Sequence, residues 1–336
     1  MGMQERRFEL KFLTPAFLGD AEQNGVWRTP PIKALLRQWW RVAYAARHGF
    51  DVAAMREAEG ILFGHADGNT ANGRAAARRS VVRLRLDQWE EGKLAKAKWV
   101  AGDKIPHPEV GKIDSFLYLG YGHLKGASLN KANAAIQASE SAQFRLAYPE
   151  EYANLLEQAL WLMDRFGTLG GRSRNGWGSF TLKPQDGDAL QGKLPLRKWQ
   201  ECLTLDWPHA IGKDNNDNNA LIWQTTPFND WKQAMTELAR LKIELRTKFS
   251  FKEGNQRLWL SYPVTHHNAF GGALRLPNSL RFKLRPTPDG KLVGVIFHVP
   301  CKPPSDFKPN IEQIKEVWKS VHEFLNTNSG LRRIQE

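Results

Sequence analysis

Hydrophobic and polar residues alternate from Arg7 to Leu13, with Phe8, Leu10 and Phe12 on one side and Arg7, Glu9 and Lys11 on the other. This period of two predicts a strand with one buried face. A Gly-bearing loop follows, and then the spacing changes to that of a helix. Thr29 is placed to cap it and Pro30 or Pro31 to occupy its first turn. Ile32, Leu35, Leu36, Trp39 and Ala43 fill an inward stripe, and the pattern runs to about His48. Alternation returns over Ser80 to Asp87 and again over Phe144 to Tyr148. After Pro149 a second helix carries Tyr152, Leu155, Leu156, Ala159, Leu162, Met163 and Phe166 on one stripe, Gly167 ends it, and a Gly-rich loop opens into a strand over Gly178 to Leu182. The order strand, helix, strand, strand, helix, strand is the split βαβ, or ferredoxin-like, arrangement.

The second half is a looser echo. Leu203 and Leu205 suggest a short strand, and a helix is expected from about Asn229 to Leu245. Strands are expected at Arg257 to Tyr262, Leu280 to Arg285 and Leu292 to Val299, and a last helix near Asn310 to Leu325. No closing strand is readable. The sequence therefore predicts an α+β chain of two tandem ferredoxin-like (RRM-like) βαββαβ domains, residues 1–182 and 201–336, joined by a linker over 183–200. Residues 63–79 and 91–143 fit no element and are expected to be insertions on the first domain, since structureless stretches that long are uncommon in a compact fold. The Asn- and Asp-rich run from Gly212 to Asn219 reads as an exposed loop.

Length and composition agree with this division. At 336 residues, with 41% apolar and 25% charged positions, the chain has material for two cores. No apolar run approaches the roughly 20 residues of a spanning helix, and Met1 to Arg7 is polar, so no membrane partner is expected and a cytoplasmic location is. Cys202 and Cys301 are too few for a multi-cysteine metal site, and a lone pair in a chain this long suits reduced thiols. The formal charge of +13 directs attention to polyanions.

Two features suit single-stranded nucleic acid. On the first helix Lys33, Arg37, Trp40, Arg41 and Tyr44 share a stripe beside the apolar one, combining cations for phosphates with rings for bases, while the helix start can itself receive a phosphate. An ordinary amphipathic helix with a solvated basic face is the alternative. The second feature is the loop Gly167 to Ser179, in which Gly170, Gly171, Arg172, Ser173, Arg174, Asn175 and Trp177 place donors and a ring among five glycines. Glycines permit positive φ and close approach, so successive N–H groups are expected to face an anion there. The loop follows a helix and opens a strand, the reverse of a dinucleotide fingerprint, and it lacks the Gly-Lys-Ser or Gly-Lys-Thr of a Walker loop. Signals for catalysis are weak. His266 and His267 lack metal-ligand spacing, Asp20 and Glu22 read as loop carboxylates, and His48, His65, His107 and His123 form no base–nucleophile pair. Neither cofactor nor metal is expected. Arg83, Arg85, Arg281, Lys283 and Arg285 extend the basic surface if their strand faces are exposed, or serve as protective sheet edges.

Three pieces in order, Leu13-Thr14-Pro15-Ala16-Phe17-Leu18-Gly19-Asp20 with Arg28 to Arg41, then Leu62-Phe63-Gly64, then Gly170 to Gly178, resemble the RAMP superfamily. Within it the chain is most similar to the first-subunit family of the Cmr complex, the type III-B CRISPR effector that targets RNA. Ala34 stands where that family usually has Gly, Asp20 where a second Gly is common, and Gln38 in place of an aromatic. The resemblance implies an RNA-binding, non-catalytic subunit near the 3′ end of the CRISPR guide RNA that helps capture target RNA. Its partners would be guide RNA, single-stranded target RNA and the other Cmr backbone subunits, which carry the target-cutting acidic residues. RNA contacts are then expected from Arg28, Lys33, Arg37, Trp40, Arg41, Gly170, Gly171, Arg172, Ser173, Arg174, Asn175 and Trp177. The alternative within the superfamily is a metal-independent endoribonuclease that processes CRISPR transcripts, with His48, His266 or His267 as general base.

Overall fold

The structure, a computed structural model, describes residues 2–66, 68–70, 73–75, 77–126, 129, 132–215, 219–248, 256–263 and 272–335. Strand β1 (Met3–Phe12) buries Phe8, Leu10 and Phe12 completely and leaves Arg7 and Lys11 exposed, as alternation requires. It is the centre of a four-stranded antiparallel sheet with β2 (Arg83–Leu86), β3 (Ser141–Pro149) and β4 (Phe180–Pro184), in the order β2-β3-β1-β4. Register sets Phe8 opposite Phe144 and Leu10 opposite Leu182, so one face is continuous hydrocarbon. Helices α1 (Thr29–Ala45) and α4 (Ala153–Phe166) cover that face.

Thr29 does not cap α1. Arg28 occupies the cap position without a side-chain hydrogen bond, and Thr29 is the first helical residue. Pro30 and Pro31 explain the change: proline has no N–H to be satisfied and its fixed φ already suits the first turn. A further helix, α2 (Val52–Phe63), starts at Asp51, whose carboxylate accepts from the N–H groups of Ala53 and Ala54 at 2.8 and 3.2 Å.

The second half repeats the order. Strands β5 (Ile222–Thr225), β6 (Leu280–Pro286), β7 (Leu292–His298) and β8 (Leu331–Arg333) form an antiparallel sheet in the order β6-β7-β5-β8. Its helices are α5 (Trp231–Lys248) and α6 (Ile311–Thr327), the latter capped by Asn310. Leu203 and Leu205 lie in the turn after a short helix (Trp199–Cys202), and the opening strand is β5 instead. Arg257 to Tyr262 begins as a tight helical turn, with Leu258, Trp259 and Leu260 buried in succession, which no half-buried strand allows. The closing strand exists as β8, only three residues long.

Residues 91–143 are not irregular. A hairpin pairs Lys104–His107 with Gly111–Asp114 and leads into α3 (Ser115–Gly120), and Phe116 stacks on Trp231 of α5 at 5.2 Å. Within 63–79 a second small hairpin pairs Gly68–Thr70 with Gly73–Ala75. Cys202 and Cys301 are free thiols, and among the described residues no helix is long and apolar enough to cross a membrane.

The halves stack. Trp39 of α1 and Phe166 of α4 reach Phe297 of β7 at 6.3 and 5.1 Å, so the layers run sheet, helices, sheet, helices. The face of β6 turned to the first half carries Arg281, Lys283 and Arg285, all buried, so these are neither an exposed RNA face nor a protective edge. Lys283 Nζ donates to the carbonyls of Asp164 and Gly167 at 2.6 and 2.7 Å and sits 4.5 Å from the Phe180 ring centre. These carbonyls lie at the end of α4, where helical oxygens lack intrahelical partners and a cation is favoured.

Candidate nucleic-acid interface

Gly167 is also the first residue of the glycine loop, which the fold holds from both sides. On one side is the segment after β1. Gly171 N–H donates to Phe17 O at 3.0 Å, Gly178 N–H to Pro15 O at 2.9 Å, and Thr14 Oγ1 donates to Gly176 O at 2.8 Å while accepting from Ser179 N–H. On the other side is β6, where Phe282 N–H donates to Arg174 O at 3.0 Å and Leu284 N–H to Ser179 Oγ at 2.9 Å. The glycines serve this packing. Gly170 has φ +93° with Phe17 O 2.6 Å from where a Cβ would stand, and a Cβ on Gly178 would collide with Leu169 O. The N–H groups of Gly171, Asn175, Gly176, Gly178 and Ser179 are therefore spent inside the protein rather than held open for an anion. The loop offers side chains instead.

Arg172, Ser173, Arg174 and Asn175 line a cavity of 720 Å³ together with Tyr121, Lys242, Arg246 and Arg275. Arg174 Nη1 donates to Asn278 O at 3.1 Å, Lys242 Nζ to Asn175 Oδ1 at 2.7 Å, and Arg246 Nη1 to Ser261 Oγ at 2.6 Å. Arg174 also lines a second cavity, of 440 Å³, with Ala34, Arg37, Gln38 and Arg41 of α1 and with Trp207 and Pro208. No carboxylate lines either cavity among the described residues. Cations at close quarters weaken one another's charged form. Burial, then repulsion from Arg246 and Arg172, holds the Lys242 ammonium well below its ordinary pKa, and burial lowers the guanidinium pKa of Arg172 and Arg174. An anion entering the cavities relieves that repulsion.

The face of α1 is partly neutralised. Arg41 Nε and Nη2 donate to the two oxygens of Glu59 at 2.6 and 2.9 Å, and Arg37 Nε to one of them at 3.2 Å. Glu59 is buried, whereas the two arginines keep over a third of their side-chain surface in solvent. Burial alone would raise the Glu59 pKa, but the hydrogen bonds and charges of Arg41 and Arg37 outweigh it and hold the carboxyl below its usual range.

The structure thus brings Arg37, Arg41, Arg172, Ser173, Arg174 and Asn175 to one pair of adjoining cavities. Lys33 stands a turn before Arg37 on α1 and lines neither, and Arg28 is tied to Gly19 O at 3.0 Å. Gly170 and Gly171 act through packing. Trp40 and Trp177 are buried to 1% and 0% exposure, so neither offers a face to a base: Trp40 packs on Phe63 of α2 and Trp177 on Phe17, Trp99 and Phe116. Tyr44 is buried too, with His48 stacked on it at 3.8 Å. The aromatics that do line the cavities are Tyr121, Tyr262 and Trp207: Tyr262 ends the segment read from the sequence as a strand, and Tyr121 and Trp207 lie outside every element the sequence predicts. Lys242 and Arg246 lie one helical turn apart on α5, beside the apolar stripe by which the sequence predicts that helix. His266 and His267 lie outside the described residues. Among the described residues no group of three or more His, Cys, Asp or Glu could hold a metal ion.

Comparison with known proteins places the chain in a family. The sequence model of the RAMP superfamily matches residues 9–181. The CRISPR system Cmr subunit Cmr1-2 of Pyrococcus furiosus is 23% identical over 188 residues, covering 54% of this chain and 96% of that protein. Among solved structures, Cmr1 from Pyrococcus furiosus in its apo form is similar over 94% of this chain and 96% of its own, with 15% identity and a TM-score of 0.49. A chain of the type III-B Cmr-β complex bound to cognate target RNA and AMPPnP is similar over 96% and 99%, with 12% identity and a TM-score of 0.49.

Proposed function

The chain belongs to the RAMP superfamily, and from that premise we propose that it is an RNA-binding subunit of a type III-B CRISPR (Cmr) ribonucleoprotein in antiviral defence. It holds the guide RNA near its 3′ end, helps capture single-stranded target RNA, and docks on the other Cmr backbone subunits in the cytoplasm. Membership of the family and the likeness to a Pyrococcus Cmr subunit support the complex, and the 3′-end placement follows the motif resemblance. The two sheets are read as tandem ferredoxin-like domains, 1–182 and 201–336, joined by 183–200. Each sheet has the local strand order 2-3-1-4 and a helix after its first and third strands.

The observation that carries RNA binding is Arg174, shared by two cavities that are lined by cations and, among the described residues, by no carboxylate. Phosphates held by Arg37, Arg41, Arg172 and Arg174 fix a strand in place without reading its sequence. With about six phosphate contacts, affinity for single-stranded RNA should fall on the order of a thousandfold between roughly 50 and 200 mM salt. Replacing Arg172 and Arg174 together by Ala should weaken binding and leave the melting temperature nearly unchanged. A flat salt dependence, or an unaltered affinity in the double variant, contradicts the proposal.

The chain is read as a binder and not a nuclease. Incubating it with CRISPR repeat RNA in chelator tests this directly, since discrete cleavage products would establish the endoribonuclease instead.

A further inference from the structure

We infer that the two cavities meeting at Arg174 form a track for unpaired nucleotides, with Tyr121 and Trp207 as the base-stacking platforms on either side of a phosphate held by Arg174. This rests on the RNA-binding reading and adds what part of RNA is gripped besides its charge.

Position is the argument. Tyr121 follows α3 on the first-domain insertion, is 68% exposed, and lines the larger cavity beside Arg172. The Arg172 guanidinium lies over the neighbouring Gly122, with Nη2 3.1 Å from the site of a Cβ there, so ring and cation share one edge of the cavity. Trp207 lines the smaller cavity. It packs its body on the first core and beside His209 at 5.2 Å, and lines the space that Arg37, Arg41 and Arg174 also border. A single strand presents a phosphate and a base alternately, and aromatic faces set next to guanidinium groups take both. In a duplex the base faces are already stacked on one another and the rings have nothing to hold. The ligand is therefore single-stranded, with little preference for sequence, because every base has a face to stack.

The test compares Tyr121→Ala, Trp207→Ala, Tyr121→Phe and Trp207→Phe with the Arg174→Ala variant. Probes are a single-stranded RNA, a duplex of the same length, and single strands carrying 2-aminopurine at successive positions. Each Ala variant is expected to weaken single-strand affinity by about fivefold or more, each Phe variant to keep most of it, and duplex affinity to stay unchanged. The fluorescent base should be quenched at two separated positions, one restored by each Ala variant. Melting temperatures separate a misfolded Trp207→Ala from a true loss, and Trp207→Phe and the exposed Tyr121 keep the test open in that case. Unchanged affinity in both Ala variants alongside a loss in Arg174→Ala overturns the stacking track while RNA binding stands. A loss in only one overturns the two-platform arrangement. If Arg174→Ala and the double arginine variant also bind normally, RNA binding itself fails and the track with it.

Discussion

Glu59 determines how much charge α1 can offer. It is ionised at neutral pH and shared by Arg37 and Arg41, so one of the two positive charges is cancelled beneath the surface. Glu59→Gln keeps the shape and removes the cancellation. The variant should lose about 1–3 kcal/mol of stability, the usual result of weakening a buried hydrogen-bonded group. It should nevertheless bind single-stranded RNA more tightly at low salt, with a salt dependence steeper by about one phosphate contact. Thermal melts and polarisation titrations at two salt concentrations check both halves of that expectation. Trp177→Ala should behave in the opposite way, losing about 3–5 kcal/mol by opening a cavity among packed rings, with RNA binding lost only as far as the fold is. Arg37 and Arg41 on α1 and Arg172 and Arg174 in the glycine loop are legible in the sequence as cations that line the cavities, whereas Lys242, Arg246 and the lining aromatics are not. The inward stripe of α1 follows from its own period, but Trp40, on the adjoining basic stripe, is buried because α2 supplies Phe63 against it, and α2 has no pattern that announces where it docks. Tyr121 and Trp207 face the cavities for reasons of tertiary placement alone.

Strands were legible where one face meets water. β1 to β3 alternate because sheet one has an outer side. β5 is four residues, all buried, because sheet two lies between two helical layers, so alternation has nothing to record. β6 alternates, yet its cations face α4 rather than solvent, and Lys283 closes the end of that helix. Replacing Lys283 by Met strips the carbonyls of Asp164 and Gly167 of this donor and should cost about 1–3 kcal/mol for each group left unsatisfied. It should also weaken RNA binding although the amine touches no phosphate, because Gly167 begins the loop that carries Arg172 and Arg174. Burial lowers the Lys283 pKa to about 7, against roughly 10.4 in an unfolded chain. Between those values the unfolded chain binds more protons, so this group's contribution to stability grows as pH rises from 7 and is lost as pH returns to 7. Melting temperatures across that range should show the rise in the parent protein and a flatter profile in Lys283→Met.

For the molecule as a whole, the shared layer around Trp39, Phe166 and Phe297 means that neither half has a core entirely its own. Residues 1–182 expressed alone should be insoluble or molten, and the full chain should unfold in one transition. Acid acts on the second half through a buried histidine pair. His298 Nδ1 and His322 Nε2 lie 2.9 Å apart among Trp199, Trp223 and Trp318, with Ser279 Oγ on the far nitrogen of His298. Burial first, then repulsion from His322 and Arg281, holds His298 well below its ordinary pKa, and burial with Arg333 pushes His322 to about 3. An unfolded histidine titrates near 6.5, so below that pH the unfolded chain takes up protons the folded chain refuses. Stability is therefore complete above about pH 6.5 and falls as pH drops toward the folded values, by up to about 1.4 kcal/mol per pH unit for each histidine. Melting temperatures from pH 7 to 4 should fall steeply, and His322→Gln should flatten the fall. If the halves are one cooperative unit, amide exchange in β1 and β3, far from either histidine, should accelerate at the same pH as exchange in β5 and β7. Protection that persists in the first sheet after the second has opened would show instead that the halves are separable.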